Sequence, residues 1–159
     1  MKQPALHPQE EQRLTVVAQK KLQEKKDDPA LQQLVGEAAQ ALGVPMAGIT
    51  LLDATREVCL TCVGTNTTGP REDSFCGHAL LAHDVFICED ALDDDRFRDN
   101  PHVINEPYIR FYAGMRLLDR ESGLPIGVFC IRDVVPRQLE AKTLGRFMEF
   151  AAQAEAMMQ

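Results

Sequence analysis

The chain has 159 residues, of which 45% are hydrophobic and 26% are charged, and this composition is that of one ordinary globular domain. The net charge of the chain is -7, and its sequence has no cluster of basic residues of the kind that nucleic-acid binding requires. We therefore expect no nucleic-acid partner. No apolar run approaches the roughly 20 residues of a membrane helix, and no signal segment opens the chain, so we expect a cytoplasmic protein without membrane contact.

Two helices are predicted at the start of the chain. Apolar residues at helical spacing predict the first from about Gln9 to Lys26, and we expect residues 1–27 to serve in dimerisation. The pair Asp28-Pro29 is typical of a helix start and Gly43 of a helix end, so the second helix lies between them. Residues 28–159 are then expected to form the main domain.

The middle of the chain alternates between short strands and one short helix. Residues 49–52 and 58–63 are apolar and flank a turn, so they predict a hairpin. Ser74 is a plausible cap for a helix over residues 75–83, and residues 85–88 predict another strand. The segments together indicate an antiparallel sheet.

The second half contains a long acidic loop, from Glu89 to Pro107, and then two strands and a helix. Loops of this length in a compact domain are usually functional, so this loop is the best candidate for a binding-site wall.

The first strand after the loop alternates cleanly between apolar and polar residues, and residues 125–131 form its partner. One face of the first strand carries Phe111, Ala113, Met115 and Leu117, and the other carries Arg110, Tyr112, Gly114 and Arg116. The last helix has an apolar stripe made of Leu144, Phe147, Met148, Ala151, Ala154 and Met158. This order predicts an α+β fold with an antiparallel sheet between helical layers.

The cysteines and acidic residues do not form a recognisable metal or disulfide motif. Cys59 and Cys62 have the spacing of redox motifs, but residues three apart on a strand face opposite ways, so we expect no disulfide. Cys76 and His78 point in different directions on a helix, so we expect no metal site there. A thiol at this helix start would have a lowered pKa if exposed, which leaves a redox role open. Residues 93–95 lack the glycine and glutamate of a calcium loop.

Five motifs stand in a characteristic order along the chain. They are SFCGHAL at 74–80, DALDDDRF at 90–97, NP at 100–101, YIRFYAG at 108–114 and LPIGVFCIRD at 124–133. In this order they resemble the GAF domains of bacterial sensor kinases and cyclic-dinucleotide enzymes, from about Asp28 to the C-terminus. The resemblance implies a GAF/PAS-like antiparallel sheet of five or six strands, with a ligand cavity on one face. It also implies a layer of terminal helices on the other face, commonly a dimer interface, and a sensory role through binding of a nucleotide, tetrapyrrole or other small molecule. We expect no catalytic activity.

Arg110 and Tyr112 project from the strand that runs along the cavity in the resembling fold. A guanidinium beside a phenol suits a ligand with a carboxylate or phosphate, although Arg110 could instead pair with Asp90 or Asp95 and fix the loop. We predict that a small-molecule ligand binds between the Ser74 helix, the long loop and this strand. The candidate ligand-binding residues are Phe75, Cys76, His78, Asp90, Phe97, Tyr108, Arg110 and Tyr112.

The sequence specifies neither the ligand nor a cofactor. Bilin attachment is disfavoured because Gly77 separates Cys76 from His78. One alternative is a free methionine-R-sulfoxide reductase that uses Cys76, Cys88 or Cys130, although its expected pocket aromatics are not evident. Another is an interaction module whose cavity is filled by its own side chains. No output domain is recognised, so we expect a homodimer that acts on a signalling partner in trans, or a freestanding binding protein.

Overall fold

One six-stranded sheet organises the chain, and the computed structural model describes residues 1–159. The strands are β1 (Met46–Leu52), β2 (Arg56–Val63), β3 (Gly69–Pro70), β4 (Phe86–Cys88), β5 (Phe111–Leu118) and β6 (Pro125–Asp133). The helices are α1 (Glu10–Gln19), α2 (Pro29–Leu42), α3 (Phe75–Ala79), α4 (Pro101–Ile104) and α5 (Ala141–Met157). The strand order is β3-β2-β1-β6-β5-β4, and every pairing is antiparallel. The predicted α+β fold and antiparallel sheet are confirmed.

Local capping signals fix the ends of α2 where the sequence predicts them. The Asp28 carboxylate accepts a hydrogen bond from the amide of Leu31 at 3.1 Å, and Pro29 occupies the first helical position. Gly43 ends the helix in the left-handed conformation, at φ 66°, which glycine adopts without steric cost.

The predicted single helix from Gln9 to Lys26 is wrong, because α1 ends at Gln19. Lys21 adopts a left-handed backbone, φ 52°, and a 3-10 turn covers Leu22–Lys25. This change of direction places Leu22 in the core, where its exposure is 1%. The apolar stripe of the segment therefore does not continue along one straight helix.

The segment from Ser74 to Pro107 is also more broken than predicted. Ser74 does cap α3, because its hydroxyl accepts from the Gly77 amide at 2.8 Å, but the helix ends at Ala79 and not near His83. The long loop contains a 3-10 turn at Ala91–Asp93 and the short helix α4. Short capped turns thus give this acidic segment a defined path.

Cys59 and Cys62 form a disulfide, so the expectation that they cannot bridge is wrong. The reason is a bulge in β2. Ile49 pairs with Thr61, but its neighbour Thr50 pairs with Cys59. Leu60 is therefore an extra residue in β2, between Cys59 and Thr61. A bulge shifts the alternation of side chains by one, which lets residues three apart reach the same side of the sheet.

Two apolar clusters lie on opposite faces of the sheet. Helices α2 and α5 cover the larger one, in which Phe129 of β6 packs on Phe147 of α5 with ring centroids 5.2 Å apart. The predicted stripe of α5 is largely buried in this chain's own core, at Phe147, Ala151, Ala154 and Met158. The smaller cluster lies beneath α3 and the long loop. None of the helices has both the length and the apolar character needed to cross a membrane.

Candidate functional site

Aromatic side chains fill the space between α3, the long loop and β5. Phe75 stacks on Phe97 with ring centroids 4.1 Å apart, and the Tyr112 ring lies 5.2 Å from Phe75. All three side chains are fully buried. The structure therefore brings together these three predicted site residues as a packed cluster.

Three other predicted residues surround this cluster at different depths. Cys76 is fully buried, and its sulfur accepts a hydrogen bond from the Tyr112 hydroxyl at 3.1 Å. His78 is half-buried, with Nε2 3.0 Å from the Lys2 carbonyl oxygen. Asp90 lies farther away, where it caps the 3-10 turn through the Leu92 amide at 3.1 Å.

Asp90 belongs to a shallow acidic groove between the long loop and the segment 136–138. The groove has a volume of about 730 Å³, and its other acidic members are Glu89, Asp93, Asp94 and Asp95. No three His, Cys, Asp or Glu side chains of the chain are grouped to hold a metal ion. Like charges make this groove unfavourable for an anion.

Arg110 fixes the long loop through backbone oxygens. Its Nη1 donates to the carbonyls of Val103 and Ile109, each at 3.0 Å. It forms no ion pair with Asp90 or Asp95, and Asp95 instead pairs with Arg98. Arg110 therefore sits where the loop meets β5, and its guanidinium already has partners.

An open cleft of about 490 Å³ lies beside the aromatic cluster, between the β2–β3 connection and the end of the long loop. We call it the Arg132 cleft. Its lining residues are Thr65, Asn66, Thr67, His102, Glu106, Pro107, Tyr108 and Arg132. Tyr108 is half exposed here, the only one of the predicted site residues that reaches this cleft.

Arg132 connects this cleft to the packed interior. Its side chain is about 6% exposed, and its Nη2 lies 3.3 Å from the Cys76 sulfur and 3.5 Å from Glu57 Oε2. The guanidinium also lies over the rings of Tyr112, at 5.2 Å, and Phe75, at 5.8 Å. Its Nε is buried and has no hydrogen-bond partner. One N–H group of this buried cation is thus left without an acceptor.

Electrostatics keep Arg132 charged and His102 neutral. Burial lowers the pKa of Arg132, but nearby Cys130, Cys76 and Glu57 outweigh it and raise the pKa well above its usual value. Burial, followed by the charge of Arg132, lowers the pKa of His102. The cleft therefore contains the charged guanidinium of Arg132, paired with Glu57, beside an uncharged imidazole, and Glu106 is the acidic residue of its lining.

The three free thiols are poorly placed for chemistry on a substrate. Burial raises the pKa of Cys76, and burial with the nearby Asp94 carboxylate raises that of Cys88 to about 12. Cys130 differs, because a hydrogen bond with Cys76 and the charge of Arg132 lower its pKa. All three side chains are nevertheless buried, which denies a substrate access to the sulfur.

Arg132, His102 and the segment 65–67 are not among the site residues predicted from the sequence. The available signal was Arg132 itself, a charged residue directly after the apolar run of β6. A buried arginine at the end of a central strand requires partners, which is a reason to look for a site there.

Comparisons with known proteins agree on the family. A model of the GAF domain matches residues 28–158. A cyclic di-GMP phosphodiesterase of Pseudomonas aeruginosa is 39% identical over 138 residues, which is 86% of this chain. The match spans only 23% of the length of that relative.

Solved structures show the same fold at low sequence identity. The GAF domain of an Acinetobacter phosphoenolpyruvate-protein phosphotransferase superposes with a TM-score of 0.64 at 17% identity, over 92% of this chain and 90% of that one. Free methionine-R-sulfoxide reductase of Neisseria meningitidis superposes with a TM-score of 0.66 at 18% identity, over 99% of this chain and 96% of that one. From the family match and the shared architecture, the chain belongs to the GAF domain family.

Proposed function

We propose that this GAF domain is a sensory module that binds a small anionic molecule, with a carboxylate or phosphate, in the Arg132 cleft. The observation that carries the proposal is the buried Arg132 guanidinium, whose Nε has no partner although the side chain lines an open cleft. Ligand binding at this point acts on a central strand of the sheet.

The weak hydrogen-bond partners of Arg132 support an anionic ligand. A guanidinium has five N–H donors, and here its contacts are to a carboxylate at 3.5 Å and to weakly accepting sulfur atoms. Burial of a charged donor without an acceptor is unfavourable, so a ligand oxygen that reaches the guanidinium from the cleft would reduce that cost. Planar, paired donors also match the geometry of a carboxylate or phosphate.

The rest of the cleft suggests what else such a ligand contains. Thr65, Asn66 and Thr67 supply neutral polar groups opposite Arg132, and His102 supplies an uncharged ring. Tyr108 presents an aromatic ring that is 50% exposed, a suitable surface for an apolar or planar portion of the ligand. We therefore propose an anion attached to a flat or apolar group.

Thermal unfolding with inorganic phosphate and with adenosine monophosphate tests the proposal, with sodium chloride at matched ionic strength as the salt control. Both probes are expected to raise the Tm of the native chain, because a molecule that binds only the folded state stabilises it. Arg132→Gln is expected to weaken binding by at least about tenfold, the effect of losing a charged hydrogen bond. Native mass spectrometry of the freshly purified chain would identify any retained molecule.

Three further variants make the test decisive. Thr67→Ala changes the cleft without affecting Arg132, so weaker binding here supports the site even if Arg132→Gln fails to fold. Arg120→Gln is the matched arginine variant outside the cleft lining and is expected to retain probe binding. If Arg110→Gln abolishes binding while Thr67→Ala does not, the ligand binds at the position predicted from sequence and the Arg132 cleft is wrong.

A pure interaction module is the second candidate, because the aromatic cluster of Phe75, Phe97 and Tyr112 fills the expected interior cavity. An absence of any probe-induced stabilisation, together with retained self-association, would favour it. We propose that dimerisation uses the terminal helices α1 and α5. Met148 remains 38% exposed on α5 and is available for that contact. Light scattering of the native chain and of Met148→Glu measures the oligomeric state and so tests whether this contact is used.

We propose that the chain regulates a partner and is not itself catalytic. The 39% identical relative is a cyclic di-GMP phosphodiesterase, which supports a role connected to that signalling system. The expected result is no hydrolysis of cyclic di-GMP by this chain. The reductase alternative predicts thiol-dependent reduction of free methionine sulfoxide, abolished in Cys130→Ser. Turnover in either assay would overturn the non-catalytic assignment.

A further inference from the structure

The disulfide between Cys59 and Cys62 differs from the other cysteines in its accessibility. Both of its residues are partly exposed, whereas Cys76, Cys88 and Cys130 are buried. A small thiol in solution can therefore reach this bond, and accessible disulfides are those that exchange with external thiols.

The disulfide lies on the cleft side of the sheet. Gly48 of β1 pairs with Cys62 on one side and with Cys130 on the other, so these three residues form a row across three strands. Cys130 belongs to the apolar cluster beneath α3. A side chain at Gly48 would approach the Cys62 sulfur to 2.8 Å, so the missing side chain makes room for that sulfur.

The same two cysteines contact the loop that forms one wall of the Arg132 cleft. The Cys59 amide donates to the Thr68 hydroxyl at 3.0 Å. The Cys62 sulfur lies 3.8 Å from the Thr67 hydroxyl, and Thr67 lines the cleft. The loop thus contacts the sulfur of Cys62 and the backbone amide of Cys59.

We propose that Cys59–Cys62 is a thiol-reducible site whose redox state sets the position of the 65–68 loop and thereby the affinity of the Arg132 cleft. The effect on affinity rests on the proposed ligand-binding function. Two thiol sulfurs do not stay at bonding distance, so reduction separates Cys62 from Cys59 in a space that Gly48 and Thr67 confine. The loop wall then has to move.

The co-reactant is a dithiol. One thiolate of the dithiol attacks one sulfur of the bridge, the Cys59–Cys62 bond breaks, and a mixed disulfide forms while the released cysteine sulfur takes up a proton. The second thiol of the reductant then displaces the remaining cysteine, which is also protonated. The protein gains two electrons and two protons, and the dithiol becomes a cyclic disulfide.

The first test measures the site without any ligand. The native chain is treated with dithiothreitol, labelled with iodoacetamide under native conditions and analysed by mass spectrometry. We expect two labels, on Cys59 and Cys62, after reduction and none before it. Hydrogen exchange of the Cys59 amide is expected to rise about fivefold or more on reduction, the effect of losing one hydrogen bond. A reduced chain without labels, or with unchanged exchange, overturns the proposal.

The second test measures coupling to the cleft and includes two variants. Cys59→Ser with Cys62→Ser is expected to reproduce the reduced chain and to be insensitive to dithiothreitol. Cys88→Ser removes a buried cysteine elsewhere and is expected to retain the response. Stabilisation by inorganic phosphate should differ by at least about threefold in apparent affinity between the two redox states, the scale of a small shift in one polar contact. Equal affinities would overturn the coupling. If labelling and exchange respond but phosphate binds in neither state, the redox site is supported and the proposed ligand site fails.

Discussion

The N-terminal helix is held to the sheet by a buried ion cluster, and its loss is a measurable change in stability. Glu10 Oε1 accepts from Arg13 Nη2 and from Arg71 Nη1, each at 2.6 Å. Arg13 is fully buried and also donates to the Leu52 carbonyl at 2.7 Å, and Arg71 donates to the Asp53 carbonyl at 2.8 Å. Glu10→Gln keeps the shape of the side chain and removes the only carboxylate of the cluster.

The pKa of Glu10 gives the size of the effect. Burial raises this pKa, but hydrogen bonds from Arg13 and Arg71 outweigh it and lower it from 4.5 to about 2. At about 1.4 kcal/mol per pKa unit, this corresponds to about 3 kcal/mol. The carboxylate is 14% exposed, so solvent screening reduces the expected loss in Glu10→Gln to about 1–3 kcal/mol.

The pH dependence distinguishes this electrostatic effect from a packing defect. Because the folded pKa lies below the unfolded one, the stabilisation is fully present above about pH 4.5 and is lost as the pH falls towards about 2. Urea unfolding of the native chain and Glu10→Gln at pH 7 and pH 3 measures it, with the exposed Glu11→Gln as the matched control. A difference between native chain and Glu10→Gln that is the same at both pH values would refute the reasoning.

Three further substitutions are expected to change stability, and thermal unfolding measures each of them. Gly114→Ala is expected to lower the free energy of unfolding by about 1–3 kcal/mol, since a side chain there collides with the Tyr112 hydroxyl. Gly36→Ala should instead raise it by up to about 1 kcal/mol, because a side chain at this position of helix α2 meets open space. Ser74→Ala is expected to cost about 1–2 kcal/mol, because it removes the cap of α3 and the hydroxyl that donates to the buried Glu57 carboxylate. A Ser74→Ala chain as stable as the native one would mean that water replaces both bonds.

Features governed by neighbours in sequence could be predicted. The start of α2 at Asp28-Pro29 and its end at Gly43 depend on caps, and those are local. The faces of β5 follow from its alternation, and Tyr112 points away from the helical layer as predicted. The order of these elements, together with the five motifs, was sufficient for the fold.

Features governed by pairing across the sheet could not be predicted. The bridge between Cys59 and Cys62 depends on a bulge, which is defined only by the register of β2 on β1. The choice between Arg110 and Arg132 depends on which guanidinium finds acceptors in the folded chain. Arg110 donates hydrogen bonds to two carbonyls, whereas the Nε of Arg132 has no hydrogen-bond partner. The spacing of residues along the sequence does not predict this difference.

Strand β6 contributes side chains both to the Arg132 cleft and to the contact with helix α5. Arg132 lines the cleft, whereas Phe129, three residues earlier, packs against Phe147 of α5. Both side chains belong to one strand that is hydrogen-bonded along both edges, so the cleft and the helical layer contact the same backbone. A ligand at the proposed site would therefore contact the strand against which α5 packs.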